Sequence, residues 1–364
     1  WLERAIQSNP KALQPYRLLA GHYLGNKEAQ KALKVAHEAQ TANPDNPDAL
    51  DLLGTMQLAA GEKENALTSY QQLARLAPKS PLAHFKLASA QVTAKDNAAA
   101  KASLNRALEL KPDYLDAQTA LISLDAQAGK HAEALGIAQG IQKRDPKSPA
   151  GFLLEGEIMA AQKKYTEAVK AYERAYALGK NGLLAIKIHQ AQSLAGDVKK
   201  ADTGLLQWVK EQPNDLIARS YLAQTYLKAG KNKPAIEQNQ AILQKDANNL
   251  SALNNLAWLY HLEKDPRALA TAERAYKLKP DAATIGDTLG WILVEQGNTV
   301  RGLELLQKAA AAAPKSPEIG YHYAVALAKS GDKAKARKQI EEVLAHGKEF
   351  PQKEQAMTLL KQVQ

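Results

Sequence analysis

The sequence lacks cysteine altogether, and aromatic residues make up only 5% of its 364 positions. Without cysteine the chain can form neither disulfide bonds nor thiolate metal sites, and it has no cysteine nucleophile. No apolar run approaches the roughly 18 residues that a membrane-spanning helix needs, so we predict no transmembrane segment. No segment alternates apolar and polar residues with a period of two, and this absence argues against β-strands.

Sequence patterns for catalysis and cofactor binding are also missing. The eight histidines are scattered without an HExxH motif, and no glycine-rich phosphate loop precedes a helix. Serine and aspartate occur mainly at expected turns and helix caps, which is their ordinary structural position. We therefore predict that the chain is not an enzyme and binds no metal ion or cofactor.

The chain is basic, with a formal net charge of +10. This charge would suit an acidic partner or an anionic polymer. The lysines, however, are spread along the whole chain, and no aromatic residues are interleaved with them to stack on bases. We therefore predict no nucleic-acid partner, and we attribute the charge to solvated helix surfaces.

What the sequence does contain is helix-forming residues in a repeating order. Alanine, leucine, lysine, glutamine and glutamate dominate the composition, which favours α-helix. Prolines recur every 34 residues along the first part of the chain, and after one irregular step the spacing resumes with small deviations. The positions are Pro10, Pro44, Pro78, Pro112, Pro146, Pro213, Pro280 and Pro314, with Ala247 in the equivalent place. A period of 34 residues is typical of a helix–turn–helix array.

One period, residues 49–78, shows the internal pattern of the repeat in the sequence ALDLLGTMQLAAGEKENALTSYQQLARLAP. Gly61 closes a first helix, and Ala66, Tyr70 and Leu73 form the apolar stripe of a second. Small residues let two helices approach closely, while a larger residue fills the gap between them. The same spacing recurs along the chain, so we predict a succession of helix–turn–helix units.

These residues resemble the tetratricopeptide repeat, and the resemblance extends over essentially the whole chain. It implies an all-α fold, a right-handed superhelical solenoid of about ten repeats with a concave inner surface. We predict a single solenoid over residues 1–364. Residues 1–12 form the second helix of a truncated repeat, residues 13–348 the ten repeats, and residues 352–362 a capping helix. The repeats are expected to begin at Leu13, Pro47, Pro81, Leu115, Pro149, Gly182, Leu216, Leu250, Ala283 and Pro317.

In this repeat family, the second, fifth, ninth and twelfth residues of each first helix face the concave groove. The register, carried over, gives a candidate ligand-binding site at Asn254, Trp258, His261, Asp287, Trp291 and Tyr321. The two tryptophans hold the same position in adjacent repeats, and each follows a polar residue by four positions, so that the polar group lies beside the ring. Indole faces with neighbouring polar groups suit a peptide segment or a sugar ring. The alternative is that both tryptophans only pack neighbouring first helices.

The same register argues against one specialised function. The receptors for chaperone tails in this family need Lys or Arg and Asn at set groove positions of consecutive repeats. At the fifth position the early repeats of this chain have Arg17, Asp51, Phe85 and Thr119, which do not match. Trp208 falls in the stripe of a second helix, where we predict core packing rather than ligand binding.

The C-terminal third carries a closer resemblance. The segments NNLAW, DTLGW and YHYAVAL, within residues 250–350, resemble the tetratricopeptide lipoprotein of bacterial PEP-CTERM/exosortase systems. The resemblance implies a Gram-negative envelope protein that is anchored through a lipidated cysteine and is associated with PEP-CTERM protein sorting and exopolysaccharide production. The chain has no cysteine and opens within a predicted helix, so we expect a fragment from which the lipid anchor is absent.

Three functional interpretations follow from the sequence. The favoured one is a non-catalytic envelope scaffold whose C-terminal groove contacts a protein or peptide partner of the surface-assembly machinery, or a glycan. The second is a periplasmic guide for exported exopolysaccharide, whose basic surface attracts an anionic polymer. The third is a cytosolic assembly adaptor.

Overall fold

A computed structural model describes residues 1–347 and 349–363, and within them it contains 22 α-helices and no β-strand. The predicted all-α array of helix pairs is confirmed. The first helices of the ten pairs are α2 (Leu13–Gly25), α4 (Pro47–Ala59), α6 (Pro81–Thr93), α8 (Leu115–Gln127), α10 (Ala150–Ala161), α12 (Gly182–Leu194), α14 (Leu216–Lys228), α16 (Leu250–Leu262), α18 (Ala283–Glu295) and α20 (Pro317–Lys329). The second helices are α3 (Ala29–Ala42), α5 (Lys63–Leu76), α7 (Asn97–Leu110), α9 (His131–Arg144), α11 (Tyr165–Leu178), α13 (Val198–Glu211), α15 (Asn232–Lys245), α17 (Arg267–Leu278), α19 (Thr299–Ala312) and α21 (Lys333–His346). Helix α1 (Leu2–Ser8) precedes these pairs, and α22 (Lys353–Gln362) follows them.

Helix boundaries follow the local sequence. Nine of the ten first helices begin at the residue where a repeat is expected to start, and α10 begins one residue later, with Pro149 as its N-cap. Side chains cap several of these helices, as at α6, where the Ser80 hydroxyl accepts a hydrogen bond from the Ala83 N–H. The expected end of the tenth repeat, residue 348, lies outside the described residues. The assignment of the whole chain to one solenoid stays a prediction.

The helices form two compact units, Trp1–Lys180 and Asn181–Gln364. In the first unit, each first helix packs against its own second helix, and α2, α4 and α6 also contact one another in succession. In the second unit, α16 contacts α18 and α18 contacts α20 in the same way. These consecutive first helices are therefore neighbours, which brings equivalent positions of adjacent repeats together.

Close packing within a pair depends on matched residue sizes. Gly54 lies in the middle of α4 opposite Tyr70 of α5, and a Cβ atom at Gly54 would lie 2.7 Å from the Tyr70 ring. Tyr70 is 1% exposed, and its hydroxyl shares a hydrogen bond of 3.1 Å with Thr55 Oγ1. The pair Gly156 and Tyr172 repeats the arrangement in α10 and α11. The expected exchange of small and large residues between paired helices is therefore present.

The turns between paired helices need one residue with positive φ. Glycine supplies it at the six expected positions, for example Gly61 with a φ of 85°. At four other turns a lysine adopts the same conformation, as Lys264 does with a φ of 55°. The turn therefore forms even where glycine is missing, and the lysines were not identified from the sequence.

Helix α17 is shorter than the other second helices. It has 12 residues, whereas its neighbours α15 and α19 each have 14. The sequence loses one residue before it, and Pro266 stands at the N-cap with a φ of −61°, a value that proline adopts without strain.

None of the helices in the described part of the chain combines the length and apolarity needed to span a bilayer.

Candidate functional site

The two groove tryptophans lie on adjacent first helices and are half-buried. Trp258 belongs to α16, Trp291 to α18, and the third aromatic residue, Tyr321, to α20. All three side chains keep part of their surface exposed to solvent. The structure therefore brings the aromatic residues of the predicted site onto three successive helices, and whether they bind a ligand stays a prediction.

A residue outside the predicted set, His322, holds these rings together. It is only 5% exposed, and its ring stacks on Trp291, with the centroids 4.3 Å apart and the planes at 28°. Its centroid lies 6.1 Å from that of Trp258 and 5.9 Å from that of Tyr321. His322 belongs to α20, so its ring contacts join that helix to both α16 and α18.

Two further ring contacts complete this group. His261 lies 5.8 Å from Trp258, and Tyr321 lies 6.4 Å from Trp291, both between ring centroids. We refer to His261, Trp258, His322, Trp291 and Tyr321 together as the ring cluster. Tilted and offset aromatic pairs at such distances each contribute about 0.5–1.5 kcal/mol beyond the burial of their surface. The ring cluster therefore stabilises three neighbouring repeats as well as presenting aromatic surface.

Asp287 has a partner that the sequence did not indicate. Its carboxylate accepts a hydrogen bond from Nδ1 of His322, with distances of 2.9 and 3.1 Å to the two oxygens. Asp287 is 9% exposed, so most of this carboxylate is turned away from solvent. The bond fixes the orientation of the imidazole that stacks on Trp291, which gives Asp287 a positioning role. A direct contact of Asp287 with a ligand stays a prediction.

Asn254 lies one helical turn before Trp258, as expected from its spacing. The side chain is half-buried, and its Oδ1 atom is buried without a hydrogen-bond partner among the described residues. Buried polar atoms in folded proteins are almost always paired, so an unpaired one needs an explanation. The amide has unused hydrogen-bonding capacity beside the indole.

The electrostatic surroundings of the ring cluster favour a neutral imidazole at His261. Burial lowers the pKa of His261, Glu295 opposes this shift, and His322 adds to it. Burial also raises the pKa of Tyr321, with a smaller contribution from Glu295. Glu295 itself is paired with Lys329 of α20 at 2.5 Å. Near neutral pH His261 is thus a neutral imidazole beside the indoles and the Tyr321 phenol.

Within residues 1–347 and 349–363, no three His, Asp or Glu side chains are grouped so that they could hold a metal ion. His322 and Asp287 are bonded to each other. The side chains around the tryptophans stack on and hydrogen-bond to one another. Trp208, by contrast, is 8% exposed and donates its Nε1–H to Asp215 at 2.8 Å, in agreement with the predicted packing role.

Comparison with known families identifies the repeats. One sequence profile of the tetratricopeptide repeat matches residues 91–158 and 293–362. A second profile with the same description matches residues 52–114. The chain thus contains repeats of this type in both compact units.

Curated proteins and solved structures give more distant matches. The chain is 24% identical over 291 residues to the DnaJ homolog subfamily C member 7 homolog of Schizosaccharomyces pombe, covering 78% of this chain and 57% of that protein. It is 24% identical over 298 residues to the Protein CTR9 homolog of Arabidopsis thaliana, covering 74% of this chain and 26% of that protein. The chain therefore spans less than two thirds of either relative. Among solved structures, the APC/C hetero-tetramer Cut9–Hcn1 matches with a TM-score of 0.47 and 12% identity, covering 98% of both chains.

Proposed function

We propose that this chain of tetratricopeptide repeats is a non-catalytic scaffold that binds a peptide segment of a protein partner at the ring cluster. The observation that carries the proposal is the pair of half-buried indoles, Trp258 and Trp291, at equivalent positions of adjacent first helices. Repeat arrays act through surfaces that neighbouring repeats build together. Tryptophan is among the residues that contribute most to binding at protein interfaces.

A peptide fits this surface better than a sugar ring does. The Asp287 carboxylate, the charged acceptor nearest the indoles, is not free for sugar hydroxyls because it is bonded to His322. What remains beside the indoles is the Asn254 amide, the neutral His261 imidazole and the Tyr321 phenol. An extended peptide can cover the rings with an apolar side chain and hydrogen-bond the amide through its backbone.

For the cellular setting, we propose the bacterial envelope. The support is the resemblance of residues 250–350 to the lipoprotein of PEP-CTERM/exosortase systems. On this proposal the partner belongs to the surface-assembly machinery, the natural protein is held at the membrane by a lipid, and the complex takes part in PEP-CTERM sorting and exopolysaccharide production. Fractionation of the native organism into envelope and cytosol tests the setting. Recovery in the cytosol would favour an assembly adaptor instead.

A peptide-selection experiment tests the binding site. A random dodecapeptide library is selected on the immobilised 364-residue chain, and the enriched peptides are titrated against Trp258→Ala, Trp291→Ala and Trp258→Phe. Loss of an interface tryptophan often costs about 2 kcal/mol or more, which is about thirtyfold in affinity. We expect that loss in both alanine variants and partial retention with phenylalanine. Unchanged affinity in both alanine variants, with lowered melting temperatures, assigns the tryptophans to packing.

A second candidate, a guide for exported polysaccharide, is favoured by the net charge of +10. Binding through surface lysines predicts affinity for an anionic polymer such as alginate that falls steeply with salt. The titration is therefore repeated with alginate at low and high ionic strength. Alginate binding that is abolished in the tryptophan variants would replace the peptide proposal. Salt-sensitive binding that survives in these variants reports only the surface charge.

A further inference from the structure

An opening in the protein surface lies in the same compact unit as the ring cluster, between the second helices α15 and α17. Its volume is about 580 Å³, and α16 forms its floor. The polar residues that line it are Gln240, Gln244, Tyr260, Arg267, Thr271 and Arg274. The accessible apolar residue of the lining is Leu243 of α15, which is half-buried, whereas Leu253 and Leu256 of α16 beneath it are only 1% and 2% exposed. The opening lies beside the shortened helix α17.

One wall of the opening is fixed by hydrogen bonds. Arg267 is bonded to Asp265 through two nitrogens, at 2.9 and 2.6 Å, and its guanidinium carbon lies 4.2 Å from the centroid of the Tyr260 ring. Gln240 Nε2 donates to the Tyr260 hydroxyl at 2.8 Å. Hydrogen bonds from Arg267 lower the pKa of Asp265 to about 2, so the pair stays ionised across the physiological range. This wall is therefore electrically balanced.

Arg274, on the same face of α17, has no carboxylate partner among the described residues. It donates a hydrogen bond to the carbonyl of Ala247, and the same nitrogen lies 3.5 Å from Asn248 Oδ1. No carboxylate of the described residues lies within 4.0 Å of it. A guanidinium carries five N–H donors, and these contacts use one nitrogen. An exposed cation with free donors thus lines the same opening as Leu243.

We propose that this opening is a second binding site, for an extended partner segment that carries a carboxylate side chain next to a bulky apolar one. The carboxylate pairs with Arg274 in the bidentate geometry that guanidinium favours. The apolar side chain packs against Leu243. From Arg267 to Arg274 the site spans about 10 Å of helix, the length of about three extended residues. The opening therefore accommodates about three residues of an extended segment.

Arg144 offers a matched control because it makes the same structural contact as Arg274. It projects from the second helix α9 and donates to the carbonyl of Pro112 at 2.6 Å, just as Arg274 donates to that of Ala247. Arg144→Gln and Arg274→Gln therefore each remove one bond between a second helix and a preceding loop. Only Arg274→Gln removes a cation from the proposed site.

The test uses three peptides titrated into the full chain by ligand-observed NMR: Ac-Asp-Leu-Leu-NH2, Ac-Asn-Leu-Leu-NH2, and Ac-Asn-Leu-Leu with a free carboxyl terminus. We expect the Asp peptide to bind at least tenfold more tightly than the Asn amide, as befits a charge-assisted hydrogen bond. Arg274→Gln should remove that preference, and Arg144→Gln should leave it intact. Ala270→Trp, a substitution of an exposed residue that lines the opening, should block binding.

Each result bears on the proposal. Equal affinity for the Asp and Asn amides on the unaltered chain overturns it without any variant, so a folding defect in Arg274→Gln cannot hide its failure. Tighter binding of the peptide with a free carboxyl terminus than of the Asp peptide replaces the carboxylate side chain by a chain end. Binding that survives Ala270→Trp and is lost in the Trp258 and Trp291 variants assigns the peptide to the ring cluster.

Discussion

The substitution Gly54→Ala tests the size matching of paired helices. An alanine Cβ at this position would lie 2.7 Å from two carbons of the Tyr70 ring. Carbon atoms pack best at about 3.5–4.0 Å, so the ring or the backbone of α4 must shift. Tyr70 has little freedom to shift because it is 1% exposed and bonded to Thr55.

The expected effect is a balance of two opposing contributions. Alanine stabilises a helix interior over glycine by about 1 kcal/mol. Forcing an extra methyl group into a packed core costs about 1–3 kcal/mol. We therefore expect Gly54→Ala to destabilise α4 and α5 by about 1 kcal/mol. A repeat array need not unfold in one step, so native-state hydrogen exchange is the suitable assay, because it reports the opening free energy of individual segments.

Gly136→Ala is the matched control. Gly136 lies inside α9, and no neighbouring atom lies within 4 Å of the Cβ that alanine would add. This substitution should slow exchange in α9 and raise its opening free energy by about 0.5–1 kcal/mol, because only the helix preference changes. Slowing of exchange in α4 by Gly54→Ala to the same degree would refute the expected clash with Tyr70. In the Tyr70→Leu background, Gly54→Ala should destabilise α4 and α5 less than it does in the unaltered chain, because the smaller side chain removes the clash.

Three further substitutions have definite expected outcomes. Asp287→Ala leaves the buried Nδ1–H of His322 without its acceptor. We therefore expect the opening free energy of α18 and α20, measured by hydrogen exchange, to fall by about 1–3 kcal/mol. Burial lowers the pKa of His261 in the folded chain, so the unfolded chain binds more protons as the pH drops through about 6.5. The free energy of unfolding therefore falls over that range. His261→Gln should reduce the fall in melting temperature between about pH 7.5 and 5.5. Lys101→Met leaves Asp125, which is 3% exposed, without the Lys101 ammonium at 2.5 Å, and native-state hydrogen exchange in α7 and α8 should show a fall in opening free energy of about 1–3 kcal/mol. Unchanged exchange rates in α7 and α8 would show that water replaces the lysine.

The helix pairs could be predicted because their determinants are local. Proline spacing, the turn glycines and the apolar stripe of each second helix all act within one repeat of 34 residues. The equivalence of Trp258 and Trp291 follows from the same register, and the two residues do lie on adjacent first helices.

The ring cluster could not be predicted in full because its central residue acts across repeats. His322 lies 35 residues from Asp287 and does not hold one of the four groove positions of its helix. Its contacts with Trp291 and Trp258 depend on how three helices pack, which no single repeat encodes. The opening beside α17 was missed for a similar reason. The sequence shows the lost residue before Arg267, but the space between α15 and α17 depends on tertiary packing.

The matched sizes within a helix pair define the unit in which such a chain can be recombined. Ala88 of α6 and Leu104 of α7 hold the places that Gly54 and Tyr70 hold one repeat earlier, and both lie in one buried cluster. Exchanging α4 with α6 alone would set alanine against the tyrosine ring and glycine against the leucine, producing a clash in one pair and a cavity in the other. Exchanging whole pairs keeps each small residue with its large partner. Crossovers at the proline loops therefore keep these contacts, whereas crossovers at the turn within a pair disrupt them.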